Sequence, residues 1–264
     1  MSGQRRALPC LIPATGNNES MRVLIAALAI APVAPGSFAQ PTLETSRAFD
    51  RYVERAEQQL RADPILYTDS HADTKKAVHR GETVVVERKI PNVPVPDGQI
   101  HDWQGVLFIP GATIASVRVV MQDYDGYGRI YQPDVTESRL LARDGDRFRV
   151  FLRLYKHEFL TLVYDSEYDV RYVFPGPDRM AIDSRSTRIV QSGDDHGFLW
   201  RLNSYWRFEQ ADRGVYAQCR AISLSRGIPF GFGWLHGFLQ KFPRDSMVNT
   251  LEATRRAAVL PAPG

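Results

Sequence analysis

The chain has 264 residues, with 33 Lys and Arg against 30 Asp and Glu, a formal net charge of +3 and 44% hydrophobic residues. That balance gives no reason to expect nucleic acid, whose partners carry a strongly basic face. Two cysteines, Cys10 and Cys219, exclude a disulfide-rich scaffold.

Residues 1–39 read as a leader. Met21-Arg22 precedes the apolar run Val23 to Ala31, followed by Pro32, Pro35 and Gly36, and Ser37-Phe38-Ala39 places small residues where a signal peptidase reads. The run is well short of the ~20 residues a membrane span needs, so export with cleavage after Ala39 is expected, and no transmembrane helix afterwards. Met1 to Ser20 lacks pattern and reads as an upstream extension of a start at Met21. Cleavage would remove Cys10 together with three Arg and one Glu, leaving Cys219 alone in a nearly neutral chain. Residues 40–264 suffice for one sizeable core.

From Leu43 to Arg61, apolar Leu43, Ala48, Phe49, Tyr52, Val53, Ala56 and Leu60 recur at close to helical spacing, with Glu44 near the start and Arg61 near the end. Asp63-Pro64 stops this predicted helix, and a polar connector is expected from Thr68 to Gly81. Glu82 to Ile90 reads as a strand, and Pro91, Pro94, Pro96 and Gly98 mark a loop. Gly105 to Ile109 is a short apolar strand closed by Pro110-Gly111. Ile114, Val117, Val120 and Met121 then fall on one helical face, and a turn-rich segment follows from Asp123 to Pro133. Six strands are predicted next: Val135 to Leu141, Arg147 to Tyr155, Leu160 to Val173, Thr187 to Gln191, Phe198 to Phe208 and Gly214 to Leu224. Short connectors such as Asp144-Gly145-Asp146 suit antiparallel hairpins. A terminal helix, interrupted by Pro243, carries Trp234, Leu235, Phe238, Leu239, Phe242, Met247, Val248, Leu251 and Ala258 on one stripe, with Thr254 as its single polar member.

Within the fifth predicted strand, alternation places Trp200, Leu202, Ser204, Trp206 and Phe208 on one face and Arg201, Asn203, Tyr205 and Arg207 on the other. Large aromatics bury roughly 150 to 250 Å² each, so the first face belongs to an interior. That interior is either a filled core or a container.

The order strand, helix, turn-rich segment, six antiparallel strands and terminal helix resembles the START-like superfamily, whose members include polyketide cyclases, coenzyme-Q-binding proteins and lipid-transfer proteins. The resemblance is carried by Asp123-Tyr124-Asp125-Gly126-Tyr127 before Tyr131-Gln132-Pro133-Asp134-Val135, and by Ser138-Arg139-Leu140-Leu141 with Asp144-Gly145-Asp146. Tyr205-Trp206-Arg207-Phe208-Glu209 before Gly214, and Ile228-Pro229 ahead of the last helix, also fit. It implies an α+β helix-grip fold, a curved antiparallel sheet wrapped around a long C-terminal helix with a cavity between them. The expected organisation is a leader at 1–39, an N-terminal helix and connector at 40–80 and a START-like domain at 81–260.

Alternation then predicts inward Phe148, Val150, Leu152 and Leu154, inward Trp200, Leu202, Trp206 and Phe208, and inward Val215, Ala217, Cys219 and Ala221. The small residues Ala217, Cys219 and Ala221 either let the helix approach closely or leave room for a ligand. The expected ligand-binding set is Val150, Leu152, Trp200, Leu202, Trp206, Phe208, Ala217 and Phe238. The outward face bears Arg147, Arg149, Arg153 and Tyr155, then Arg201, Tyr205 and Arg207, then Tyr216, Gln218 and Arg220. It is either a solvated surface or a seat for the N-terminal helix through Glu44, Glu54 and Glu57.

No metal site is expected, since none of the six histidines has ligand spacing, and Asp194-Asp195-His196 reads as a solvated loop between glycines. His101-Asp102 reads as an accidental pair, because neighbours in an extended chain point opposite ways. Ser223, Ser225 and Ser246 lack a nucleophile elbow, Cys219 is expected to be buried and quiet, and the glycine-rich Gly227 to Gly237 lacks a phosphate-binding register. No cofactor and no catalytic residue is expected. The functional expectation is an exported module binding a lipid or other apolar small molecule. A cyclase or aromatase-type enzyme using Tyr124, Tyr127, Tyr131 or His101 is the alternative, and a filled core with surface function is the third.

Overall fold

A computed structural model describes residues 40–62, 66–90, 93–157, 161–192, 197–227 and 236–259, with side chains of the last helix from 243 onward. The leader, Asp194-Asp195-His196, Ile228-Pro229, Trp234 and Leu235 lie outside the described residues, as do the side chains of Phe238, Leu239 and Phe242.

The chain opens with helix α1 (Leu43–Ala62), whose buried stripe is Ala48, Phe49, Tyr52, Val53 and Ala56. The polar connector expected from Thr68 to Gly81 has regular structure of its own. It holds two short helices, α2 (Tyr67–Ser70) and α3 (Ala72–His79), pinned by Ala77 and Val78. Val78 packs against Leu66, Val106 and Tyr216, so tertiary burial overrides the weak local pattern. Strand β1 (Val84–Glu87) is shorter than expected, and β2 (Gly98–Pro110) is longer. Helix α4 (Ile114–Gln122) begins at a reciprocal cap, the Thr113 side chain accepting from the Ser116 amide at 3.1 Å while the Thr113 amide donates to the Ser116 hydroxyl. A 3₁₀ turn (Tyr124–Gly126) and a one-turn helix α5 (Tyr127–Ile130) occupy the turn-rich segment.

Six antiparallel strands follow: β3 (Val135–Asp144), β4 (Arg147–His157), β5 (Thr161–Gly176), β6 (Arg179–Gln191), β7 (Leu199–Ala211) and β8 (Gly214–Arg226). The β3–β4 hairpin turns on Gly145, at φ 56°, a left-handed conformation that glycine adopts without steric penalty. Helix α6 (His236–Val259) runs through Pro243 rather than breaking there. The strands form one eight-stranded sheet in the order β1-β2-β8-β7-β6-β5-β4-β3, every described pair antiparallel. All described residues belong to one compact unit, Ser37–Gly264.

Each face of the sheet has its own core. On the inner face, Leu107, Phe148, Val150, Val170, Trp206, Phe208, Ala217 and Cys219 pack with Met121 of α4 and Met247 and Leu251 of α6. On the outer face, Phe49, Tyr52, Val53 and Ala56 of α1 pack on Tyr205, Ile222 and Leu224. Helix α6 approaches the sheet closely at Gly105, where an added Cβ would stand 2.3 Å from Leu251 Cδ1 and 2.9 Å from Met247 Cγ. Gly105 lies opposite Cys219 in the β2–β8 ladder. The small residues at this level therefore serve close packing.

Candidate functional site

The inner face divides into a filled half and a looser half. In the filled half, the α4–α5 region supplies Tyr124, Tyr127 and Tyr131, which meet Tyr172 of β5. Tyr127 and Tyr172 both donate to the Met121 carbonyl, so the 2.9 Å contact between Tyr124 and Tyr172 has Tyr124 as donor. Thr254 Oγ1 donates to the Thr250 carbonyl and receives the Tyr131 hydroxyl at 3.1 Å. The lone polar member of the α6 stripe is thus a partner for a buried phenol.

Burial holds these phenols protonated. It pushes Tyr131 up to about 12 and Tyr124, Tyr127 and Tyr172 well above the ordinary tyrosine range. Proton transfer near neutrality from Tyr124, Tyr127 or Tyr131 is disfavoured by that shift. It also fixes an alkaline limit. Between about 10 and 12 the folded chain keeps protons that the unfolded chain releases, so stability falls as pH rises through that window. Denaturant midpoints should decline above pH 10, with phenolate absorbance from these groups appearing only alongside unfolding.

The looser half lies toward the carboxy end of β4 and β8. Leu152, Leu154, Leu202, Ala221 and Trp103 pack against the inner core but are only partly buried. Register places Val170, Ser184, Ser204, Ala221 and Trp103 in one row across β5, β6, β7, β8 and β2. The next inward row is formed by Tyr168, Ser186, Leu202, Ser223 and His101. Ser166 donates to the Leu152 carbonyl at 2.7 Å, Ser186 Oγ receives the Leu202 amide, and His101 Nε2 meets Ser225 Oγ at 3.0 Å. The Tyr168 hydroxyl and Trp103 Nε1 are buried without a hydrogen bond of ordinary geometry, although Ser166 lies beside Tyr168.

Of the residues expected to bind a ligand, Leu152 and Leu202 stand in the looser half. Val150, Trp206, Phe208 and Ala217 are fully buried in the inner core, with Trp206 and Phe208 stacked at a ring separation of 5.4 Å. Phe238 is on α6, its side chain outside the described residues. Trp200 is the correction. The β7–β8 register shifts between Leu199 and Arg201, so a bulge sends both Trp200 and Arg201 to the outer face. There Trp200 joins the α1 cluster and Arg201 sits 5.2 Å from the centre of the Phe49 ring. Alternation placed Ser204 inward without counting it in the ligand set, His101 entered only with the cyclase alternative, and Trp103, Tyr168, Ser184 and Ser223 were missed. Their signal was polar side chains in the same two-residue phase as the inward apolar ones.

The outer face is divided too. Helix α1 covers its β7–β8–β2 part, but through Glu57 and Asp50 rather than Glu44 and Glu54. Glu57 receives Arg185 and, at 2.7 Å, the Tyr205 hydroxyl, and Asp50 pairs with Arg201. Beneath α1, Arg220 donates twice to Asp102, at 2.9 and 2.6 Å, and Tyr52 donates to the same carboxylate at 2.9 Å while receiving the Ile90 amide. The β4–β5–β6 part faces solvent, with Arg149 paired to Asp169 and Arg153 to Asp165, and carries a groove of about 600 Å³ lined by Arg147, Arg149, Arg171 and Asp169 among others. His101 and Asp102 point to opposite faces, and burial raises the Cys219 thiol well above its ordinary value, both as expected. Among the described residues there is no cluster of metal-ligating side chains and no helix long and apolar enough to cross a membrane.

No family model and no curated protein sequence matches the chain. Solved structures do. A STAR-related lipid transfer protein from Xanthomonas axonopodis (fragment 25–204) superposes with a TM-score of 0.54 at 18% identity, over 67% of this chain and 94% of that one. The Zhui aromatase/cyclase from Streptomyces sp. R1128 gives 0.46 at 15% identity, over 61% and 94%, and human STARD10 gives 0.45 at 9%, over 72% and 80%. The superposition on the Xanthomonas protein, together with the strand order and the packing of α6 on the sheet, establishes that the chain has the START-like, helix-grip fold.

Proposed function

We propose that this chain is an exported module that binds a lipid or other apolar small molecule between the inner sheet face and α6. The observation that carries the reading is the change in packing along one continuous face. Phe208, Val150 and Ala217 are buried tightly, whereas Leu152, Leu154, Leu202, Ala221 and Ser204 are only half-buried although their register points them the same way. Half-buried aliphatics on a concave wall are what a ligand would cover. The lipid-transfer description of the Xanthomonas structure with the same fold supports the reading, and the Met21 to Ala39 leader supports export.

Native mass spectrometry of chain purified without detergent tests it. An apolar molecule should co-purify, and after solvent stripping the protein should bind a neutral hydrophobic dye that the untreated protein excludes. Neither ligand nor dye uptake would overturn the binding reading. Amino-terminal sequencing of the exported fraction should begin at Gln40, and an intact Met21 start would overturn export.

A further inference from the structure

We infer that the cargo is an uncharged molecule carrying a carbonyl or hydroxyl oxygen that accepts from Trp103 beside a floor made of Ser184, Ser204 and Ala221; the inference rests on the binding reading. Register defines the floor. Ser184 pairs with Ser204, Ser204 with Ala221 and Ala221 with Trp103, and at the far side Val170, whose inward neighbour is Tyr168, carries the row on to Phe148 of β4. Small side chains across three adjacent strands leave depth between flanking aromatics.

Trp103 Nε1 is a hydrogen-bond donor buried without a partner among the described residues, whereas the Tyr168 hydroxyl has Ser166 beside it. A buried donor left unpaired is costly, so such groups call for a partner supplied from elsewhere. Tyr168 is 5% exposed and belongs to the inner core, and Trp103 packs on the same core from the other side. An indole N–H donates only, so the complementary ligand atom is an acceptor. The inward side chains of Ser184, Ser204 and Ser223 add neutral hydroxyls to the same wall.

Charge selects against an anionic head. On this side of the sheet Lys156 is paired with Asp134, and Glu87, opposite Trp103, is exposed at the β1 edge. Among the described residues, a carboxylate or phosphate brought onto the floor would be desolvated with no lysine or arginine assigned to it there, and the inward His101 meets Ser225.

The test uses the stripped full chain and displacement of a neutral dye by n-dodecane, 2-dodecanone, 1-dodecanol and dodecanoate below their aggregation limits. Ketone and alcohol should bind about tenfold or more tightly than alkane and dodecanoate. Trp103→Phe should reduce the ketone-over-alkane preference about three- to tenfold, the range one net hydrogen bond gives, with alkane affinity unchanged. Equal affinities, a preference for dodecanoate, or a Trp103→Phe variant that keeps the full ketone preference would overturn the inference while leaving the binding reading intact. Failure of every probe would overturn both. If a variant does not fold, the four-probe ranking on the natural sequence still decides.

Discussion

Asp102→Ala should cost about 3–5 kcal/mol of unfolding free energy, measured by denaturant titration, because it strands a guanidinium in the interior. Arg220 is 2% exposed and donates two hydrogen bonds to Asp102, with only Gln59, at 3.3 Å, as a further acceptor. Most of the loss would come from the orphaned cation rather than from the attraction itself. Two companion variants separate these terms. Tyr52→Phe removes one neutral donor and should cost about 1 kcal/mol, whereas the double replacement Asp102→Leu with Arg220→Met should recover most of the loss. A single variant as mild as Tyr52→Phe would mean that water reaches Arg220 under α1.

Gly105→Val should destabilise the fold by about 3 kcal/mol, the upper end of the overpacking range. The first added carbon alone would stand 2.3 Å from Leu251 Cδ1, and Leu251 is fully buried against Met247. Neither side chain has empty space to swing into, so α6 must move off β2. Pairing Gly105→Val with Leu251→Ala returns the volume and should restore part of the stability. Additive losses in that pair would show that the contact is looser than its geometry.

Where the fold was legible, apolar periodicity was strong. The α1 stripe, the α4 face and the inward positions of β4 and β8 follow from spacing because burial on one side selects them. Legibility failed where polar residues entered an inward register. β6 begins at Arg179, yet Asp183-Ser184-Arg185-Ser186 interrupts alternation and hides its first half. Ser184 belongs to the floor of the candidate site and Ser186 to the row beside it, so the weakness of the strand signal and the chemistry of the site have one origin. α3 was hidden for another reason, since Ala77 and Val78 are too few to show a period, and only the distant Val106 and Tyr216 give them something to bury against. Trp200 was misplaced because a bulge leaves no compositional trace in its own strand.

That bulge gives β7 a phase change near its start. Trp200 and Trp206, six positions apart and nominally alike, serve opposite sides of one plank. Loss of a single residue between the bulge and Ala211 would turn the chain preceding it over and exchange oil for water on both surfaces. At 200 or 201 the same loss would delete one of two neighbours under α1 and let the ladder close. The strand therefore contains one joint where its length is negotiable, lying at the border between the helix-covered side and the cargo-facing side.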